Sequence, residues 1–335
     1  MQYCRTGKPI QVEAMARGPL YHPDYRPLFS GHETFPLRYS WLKKTYDAVS
    51  AAKDELNNKA IFLGDDAIAR FGVGKNMVGS MRHWASSCGV IAEEPSSGQL
   101  TTTQLGDFLF GSKGVDPYLE HPASLWLFHW QLCAGKISRG LKTTWYWAFN
   151  HYAGSIFKRD DFVDGLMKFS EARGWQRISR MTIQRDVECF VRTYETKPIG
   201  IKGGVEESLE SALAELGLVR GIKGHFQLVR VPKRSLPNEV FAYALNSFWN
   251  QYGSTRTLSF EAVAYEPGSP GRIFLLNETE LAERLLAMET VTGGAIRWSE
   301  TAGLKQILRE RTLSEDEALQ LVSRAYVVDT NGKGD

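Results

Sequence analysis

Two glycines two residues apart, Gly72 and Gly74, divide the segment from Asp66 to Cys88 into two helix-length pieces, and that division constrains the fold most. A short helix is predicted over Asp66 to Phe71, stopping at Gly72-Val73-Gly74. A second starts at Lys75 or Asn76 and runs to Cys88, where Gly89 ends it. A hairpin pattern follows, with Pro95-Ser96-Ser97-Gly98 as its turn. Helix, tight turn, helix and hairpin, in that order, describe a winged helix-turn-helix, a module that docks on nucleic acid.

Spacing assigns the faces of the second helix. Met77, Met81, Trp84 and Cys88 recur at three- and four-residue intervals, with Val78 and Ala85 beside them, and form one apolar stripe. Asn76, Ser80, His83 and Ser87 are then expected to face outward, with Gly79 among them, Lys75 at the N-terminus and Arg82 on the flank. Amide and hydroxyl side chains at the start of such a helix read base edges, while Lys75 and Arg82 suit phosphates. The alternative for the same pattern is a module that binds protein or only supports the fold.

The 335 residues suffice for two or three domains with substantial cores. No apolar run reaches the roughly 20 residues that span a bilayer, and the N-terminus lacks the apolar core of a signal peptide, so a cytoplasmic protein is expected. Cys4, Cys88, Cys133 and Cys189 form no C-x-x-C pair, which argues against a zinc site or a disulfide framework. The net charge of +2 sets up no global field for a polyanion. Locally, Lys136 to Arg185 holds ten Lys/Arg against four Asp/Glu, whereas Ser259 to Ala325 holds seven against eleven. That asymmetry fits DNA contact by the centre and protein contact by the end, and equally fits ordinary solvated faces.

The expected fold class is mainly α with small β-hairpins (α+β), built from winged helix-turn-helix modules joined by helical segments. Residues 1–28 are expected to be an extended arm, 29–115 a winged-helix domain, 116–235 a helical linker with a second winged-helix-like module, and 236–330 a C-terminal helical domain. Pro36 is expected to open a helix running to about Leu56. The tryptophans at 126, 130, 145 and 147 read as core rather than as a base-stacking platform. In the second module Ser179 or Thr182 caps a helix whose buried stripe is Ile183, Val187, Phe190, Val191 and Tyr194, leaving Thr182, Gln184 and Arg185 for DNA. A loop at Lys197 to Gly204, a helix SLESALAELGLV and a hairpin around Lys223-Gly224-His225 follow. Near the C-terminus AIRWSETAGLKQILR reads as a short strand leading into a helix.

Phe29 to Phe35 reads FSGHETF, with an imidazole and a carboxylate side by side. His32 and Glu33 are the candidate catalytic pair, as acid and base or as ligands of Mg²⁺ or Mn²⁺ in phosphodiester cleavage. The structural alternative makes Glu33 or Thr34 a helix cap and His32 a buried hydrogen-bonding group. No P-loop, dinucleotide fingerprint or Ser/His/Asp signature is present. Asp186, followed by Glu195-Thr196-Lys197, superficially matches a D…E-x-K nuclease site, but it falls on a predicted helix rather than a strand.

FSGHETFPLRYSWLKK, FGVGKNMVGSMRHW and RMTIQRDVECFVRTYE together resemble the landmarks of the domain-of-unknown-function 4007 family, which includes the SspB-type component of bacterial DNA phosphorothioation systems. The resemblance extends from about Phe29 to Tyr326. It implies a double-stranded-DNA-binding, DNA-nicking component of a modification and phage-defence pathway. The implied partners are a cysteine desulfurase, an ATP pyrophosphatase and an ATPase, with a second copy of the chain as a further candidate and no membrane. The competing expectations are a winged-helix transcription regulator without catalysis and a non-enzymatic adaptor that assembles the modification complex.

Overall fold

Gly72 takes the left-handed backbone, φ +66°, and its N–H donates to Ile68 O, closing the helix Gly64–Phe71. The structure is a computed structural model describing residues 18–55, 57–134, 142–175, 178–195, 211–301 and 303–327. In chain order the first helix, α1, is Tyr39–Ala51, followed by α2 at Gly64–Phe71 and α3 at Lys75–Ser87. Strands β1 (Ile91–Glu93) and β2 (Leu100–Thr102) pair antiparallel, Ala92 facing Thr101, and α4 (Gln104–Phe110) follows. Thr103 caps α4, its hydroxyl accepting the Gly106 N–H at 3.0 Å.

Val78, Met81, Trp84, Ala85 and Cys88 are buried as the spacing predicts, while Met77 is half-buried. Pro36 does not open a helix: α1 begins three residues later, at Tyr39, with Arg38 extended before it. The carbonyl of Phe35 is engaged by side chains of two other helices, which holds this stretch out of helical conformation. The described residues of the expected N-terminal arm, from Gly18 on, pack against the body of the protein. Leu20 and Tyr25 are buried, and the Arg173 guanidinium donates to the carbonyls of Leu20 and Tyr21.

Helices α5 (Pro122–Ala134) and α6 (Thr143–Asn150) are largely apolar and buried on every face from Ala123 on, so they form the centre of the core. Trp126, Trp130, Trp145 and Trp147 are inside. The helical linker expected after residue 116 is interrupted by a short strand, β3 (Ile156–Phe157), which pairs with β5 (His225–Leu228). With β4 (Val219–Ile222) these make an antiparallel sheet of order β3-β5-β4. Between β3 and β4 come α7 (Arg159–Ala172) and α8 (Arg180–Tyr194); Ser179 caps α8 by accepting the Thr182 N–H. The helix expected over SLESALAELGLV is a single 3-10 turn, Ala212–Leu216, ended by left-handed Gly217. Its first residues, 208–210, and the loop expected at Lys197 to Gly204 lie outside the described residues.

The C-terminal part contains α9 (Asn238–Tyr252), β6 (Thr257–Ser259), α10 (Phe260–Tyr265), α11 (Pro270–Ile273), α12 (Glu278–Val291), β7 (Ile296–Thr301), β8 (Leu304–Arg309) and α13 (Glu315–Ser323). AIRWSETAGLKQILR is therefore a hairpin, not a strand and a helix: β7 and β8 pair from Ile296↔Arg309 to Thr301↔Leu304 around left-handed Gly303. Strand β6 adds to the free side of β8, giving the order β6-β8-β7. The architecture is thus mostly helical with small antiparallel sheets. No helix among the described residues is long and apolar enough to cross a membrane.

Candidate functional site

The FSGHETF segment lies between α3 and α8, and side chains spaced one turn apart on each helix tie it down. From α3, Ser80 Oγ donates to His32 O at 2.9 Å and Trp84 Nε1 to Phe35 O at 2.9 Å. From α8, Asp186, Cys189 and Arg192 face the segment at three-residue intervals. Cys189 Sγ donates to Phe35 O at 3.4 Å, and an Arg192 guanidinium N–H to Thr34 O at 3.1 Å. Asp186 Oδ1 sits 2.8 Å from His32 Nε2, and both side chains are buried. The Thr34 N–H donates to His32 Nδ1 at 2.9 Å. A nitrogen that accepts carries no proton, so Nε2 bears it and donates to Asp186.

Ser80 and His83 were expected on the outward face of α3, and the structure turns both toward this segment. Ser80 is buried, and His83 is half-buried with its Nε2 out of contact with solvent. The backbone of Gly31 runs against the His83 ring so closely that a Cβ there would lie 2.3 Å from Nδ1. Lys142, buried at the start of α6, brings Nζ to 3.4 Å from the same Nδ1. Burial and the Lys142 charge hold the His83 imidazole well below its usual titration range, so it is neutral. Burial likewise lowers the Lys142 ammonium to about 8, while the Asp186 carboxylate acts in the opposite direction. His32, His83, Lys142 and Asp186 therefore form one polar cluster, with Trp145 in ring contact at its floor. Asp186 Oδ2 and His83 Nε2 are buried without a hydrogen-bond partner among the described residues.

His32 and Glu33 part company. Glu33 and Thr34 are both left-handed, φ +48° and +65°, and both are exposed. This bend carries Glu33 over α3, where its Cγ lies 3.9 Å from the position a Cβ would take at Gly79. Neither Glu33 nor Thr34 caps α1. Exposed Lys75 and Asn76 begin the same helix. Arg82, about two turns further along, is half-buried, 3.3 Å from Glu93 of the hairpin and over the Phe62 ring. On α8, Gln184 and Arg185 are exposed, whereas half-buried Thr182 is engaged at the cap with Ser179. The surface side chains can thus offer cations, amides and one carboxylate to a ligand, while the buried imidazole of His32 has both nitrogens occupied.

Sequence reasoning missed Lys142 altogether and set Asp186 aside because it falls on a helix. The available signal was polarity beside apolar sequence: Asp186 directly precedes Val187 of the buried stripe, and Lys142 directly precedes the buried helix Thr143–Asn150. Among the described residues no group of three or more His, Cys, Asp or Glu side chains stands together to hold a metal ion.

No curated protein matches the chain. An SspB crystal structure is similar, with a TM-score of 0.78 and 27% identity over 91% of this chain and 89% of that one. A magnesium ion-bound SspB crystal structure is similar at a TM-score of 0.76 and 28% identity, with the same coverage of both chains. The model of the family described as protein of unknown function (DUF4007) matches residues 29–326, and this chain belongs to that family.

Proposed function

We propose that this chain is a double-stranded-DNA-binding and DNA-nicking component of a phosphorothioate-modification and phage-defence system, acting with the other proteins of that system. One observation carries the reading: an exposed helical face that combines Lys75, Asn76 and a carboxylate, Glu33, leaning over Gly79. The order α2, glycine turn, α3 and β1–β2 hairpin supports reading this part as a winged helix-turn-helix with α3 as the helix that approaches DNA. Lys75 then meets a phosphate and Asn76 a base edge, while the absence of a side chain at Gly79 makes room for Glu33 over the helix. Gln184 and Arg185 on α8 supply a second contact. Ser80 and His83 act from beneath the face rather than on it.

Nicking requires a proton acceptor near the attacked phosphorus and charge to stabilise the phosphoryl oxygens. Glu33 is the exposed group of the candidate pair and takes the role of base toward water; His32, with both nitrogens engaged, orients its loop. Among the described residues no three or more His, Cys, Asp or Glu side chains stand together to hold Mg²⁺ or Mn²⁺. The engaged state of His32 also favours a second reading, DNA binding without cleavage. Incubation of purified protein with supercoiled plasmid, with and without Mg²⁺ or Mn²⁺, decides between them. Open circles that vanish in Glu33→Gln while duplex affinity persists support nicking; intact supercoils with tight binding support binding alone. Absence of duplex binding at low salt removes both.

A further inference from the structure

We infer that Asp186 is a positioning residue that, through His32, fixes where the Glu33 carboxylate sits over α3. The mechanical part stands on geometry alone; its consequence for DNA rests on the reading of that face as the DNA-contact surface. Two consecutive non-glycine residues in left-handed conformation, Glu33 and Thr34, do not hold that shape unaided. Ser80, Trp84, Cys189 and Arg192 all grip backbone carbonyls of the segment, at residues 32, 34 and 35. Asp186 does something different. It accepts from His32 Nε2, which leaves Nδ1 free of a proton and able to accept the Thr34 N–H. The chain Asp186–His32–Thr34 therefore pins the peptide that follows Glu33, from a helix 154 residues away in sequence. Without the acceptor oxygen of Asp186, His32 is no longer held to the tautomer with its proton on Nε2, and the Thr34 N–H loses part of its hold on Nδ1.

Amide hydrogen exchange and duplex affinity test this together in the full-length chain. In Asp186→Ala the Thr34 and Phe35 amides are expected to exchange at least about tenfold faster, with α12 and the β7–β8 hairpin unchanged, as expected for a local opening. Asp186→Asn keeps an acceptor oxygen and is expected to restore most of the protection. If Asp186→Ala does not fold, His32→Gln cuts the same chain at its middle and is expected to loosen the same two amides. Unchanged exchange in a folded variant of either kind overturns the inference. For DNA, Glu33→Gln in the otherwise native chain is expected to tighten duplex binding on the order of fivefold, the effect of removing one charge near phosphates. In the Asp186→Ala background the same change is expected to matter less than about twofold, since Glu33 no longer sits over the helix; an undiminished effect overturns the coupling. A native chain that binds no duplex sinks the proposed function and leaves the exchange result to judge Asp186.

Discussion

Replacing Gly31 by alanine tests the contact on which the candidate site is built. Gly31 sits at φ +102°, and its added Cβ would lie 2.3 Å from His83 Nδ1, 3.0 Å from Cε1 and 3.4 Å from Cγ. Backbone strain for a non-glycine residue at such a φ costs about 1–3 kcal/mol. An ordinary contact is roughly 3.5 Å, so the imidazole must shift by about 1 Å, which disturbs its 3.4 Å approach to the Lys142 ammonium. Leaving that buried ammonium without its partner adds about 1–3 kcal/mol, for a total of roughly 2–6 kcal/mol against a typical domain stability of about 5–15. Gly72→Ala is the control: its φ is +66°, and a Cβ there meets nothing within 4 Å. Its cost is backbone alone, roughly 1 kcal/mol. Urea midpoints of both variants, with constant slopes, give the comparison. In Gly31→Ala/His83→Ala the ring is gone, so the added loss from Gly31→Ala is expected to fall toward that of Gly72→Ala. Equal losses for Gly31→Ala and Gly72→Ala in the native background would show that the His83 ring gives way freely, and the reasoning fails.

Three further outcomes follow from the same packing. His129 is fully buried between Tyr194 Oη and Ile273 O, and burial lowers it to about 3. The unfolded chain therefore takes up a proton below pH 6.5 that the folded one refuses. Stability is lost as pH falls from 6.5 toward 3, at about 1.4 kcal/mol per unit from this residue; His129→Phe should reduce proton uptake on unfolding by one near pH 5, and an unchanged slope would refute it. Trp84→Ala empties a fully buried site that also donates to Phe35 O, and should cost about 3–5 kcal/mol by chemical denaturation; an unchanged midpoint would mean the ring is not core. Lys75→Ala should lower the salt slope of duplex binding by about one unit, whereas Asn76→Ala should shift sequence preference by roughly 1–3 kcal/mol; titrations with unaltered slope would take this helix off the interface.

Periodicity located α3 and its core stripe because Met81, Trp84 and Cys88 answer to the helix alone. The same periodicity turned Ser80 and His83 outward, because a helical wheel sees polarity and not the partner that satisfies it. Their partners are the His32 carbonyl, 48 residues earlier, and Lys142, 59 residues later. Asp186 was passed over for a similar reason: a buried acid on a helix has no local signature, and its counterpart comes from a distant loop. The second strand of the β7–β8 hairpin looks helical in sequence because Leu304, Ile307 and Leu308 fall at three- and four-residue spacing; pairing across Gly303, a tertiary choice, decides it. The Ser179 cap was legible because a cap is set within four residues.

The two-sided grip on the FSGHETF segment has a consequence for anyone who wishes to move this surface elsewhere. A fragment ending near Phe110 retains Ser80, His83 and Trp84 but discards Lys142, Asp186, Cys189 and Arg192. It keeps the helix, the turn and the hairpin that look like a portable unit, and loses the far jaw of the vice that shapes residues 31–35. Grafted onto another scaffold, the face would keep its sequence and lose its curvature; transplantation has to carry α8 and the start of α6 as well.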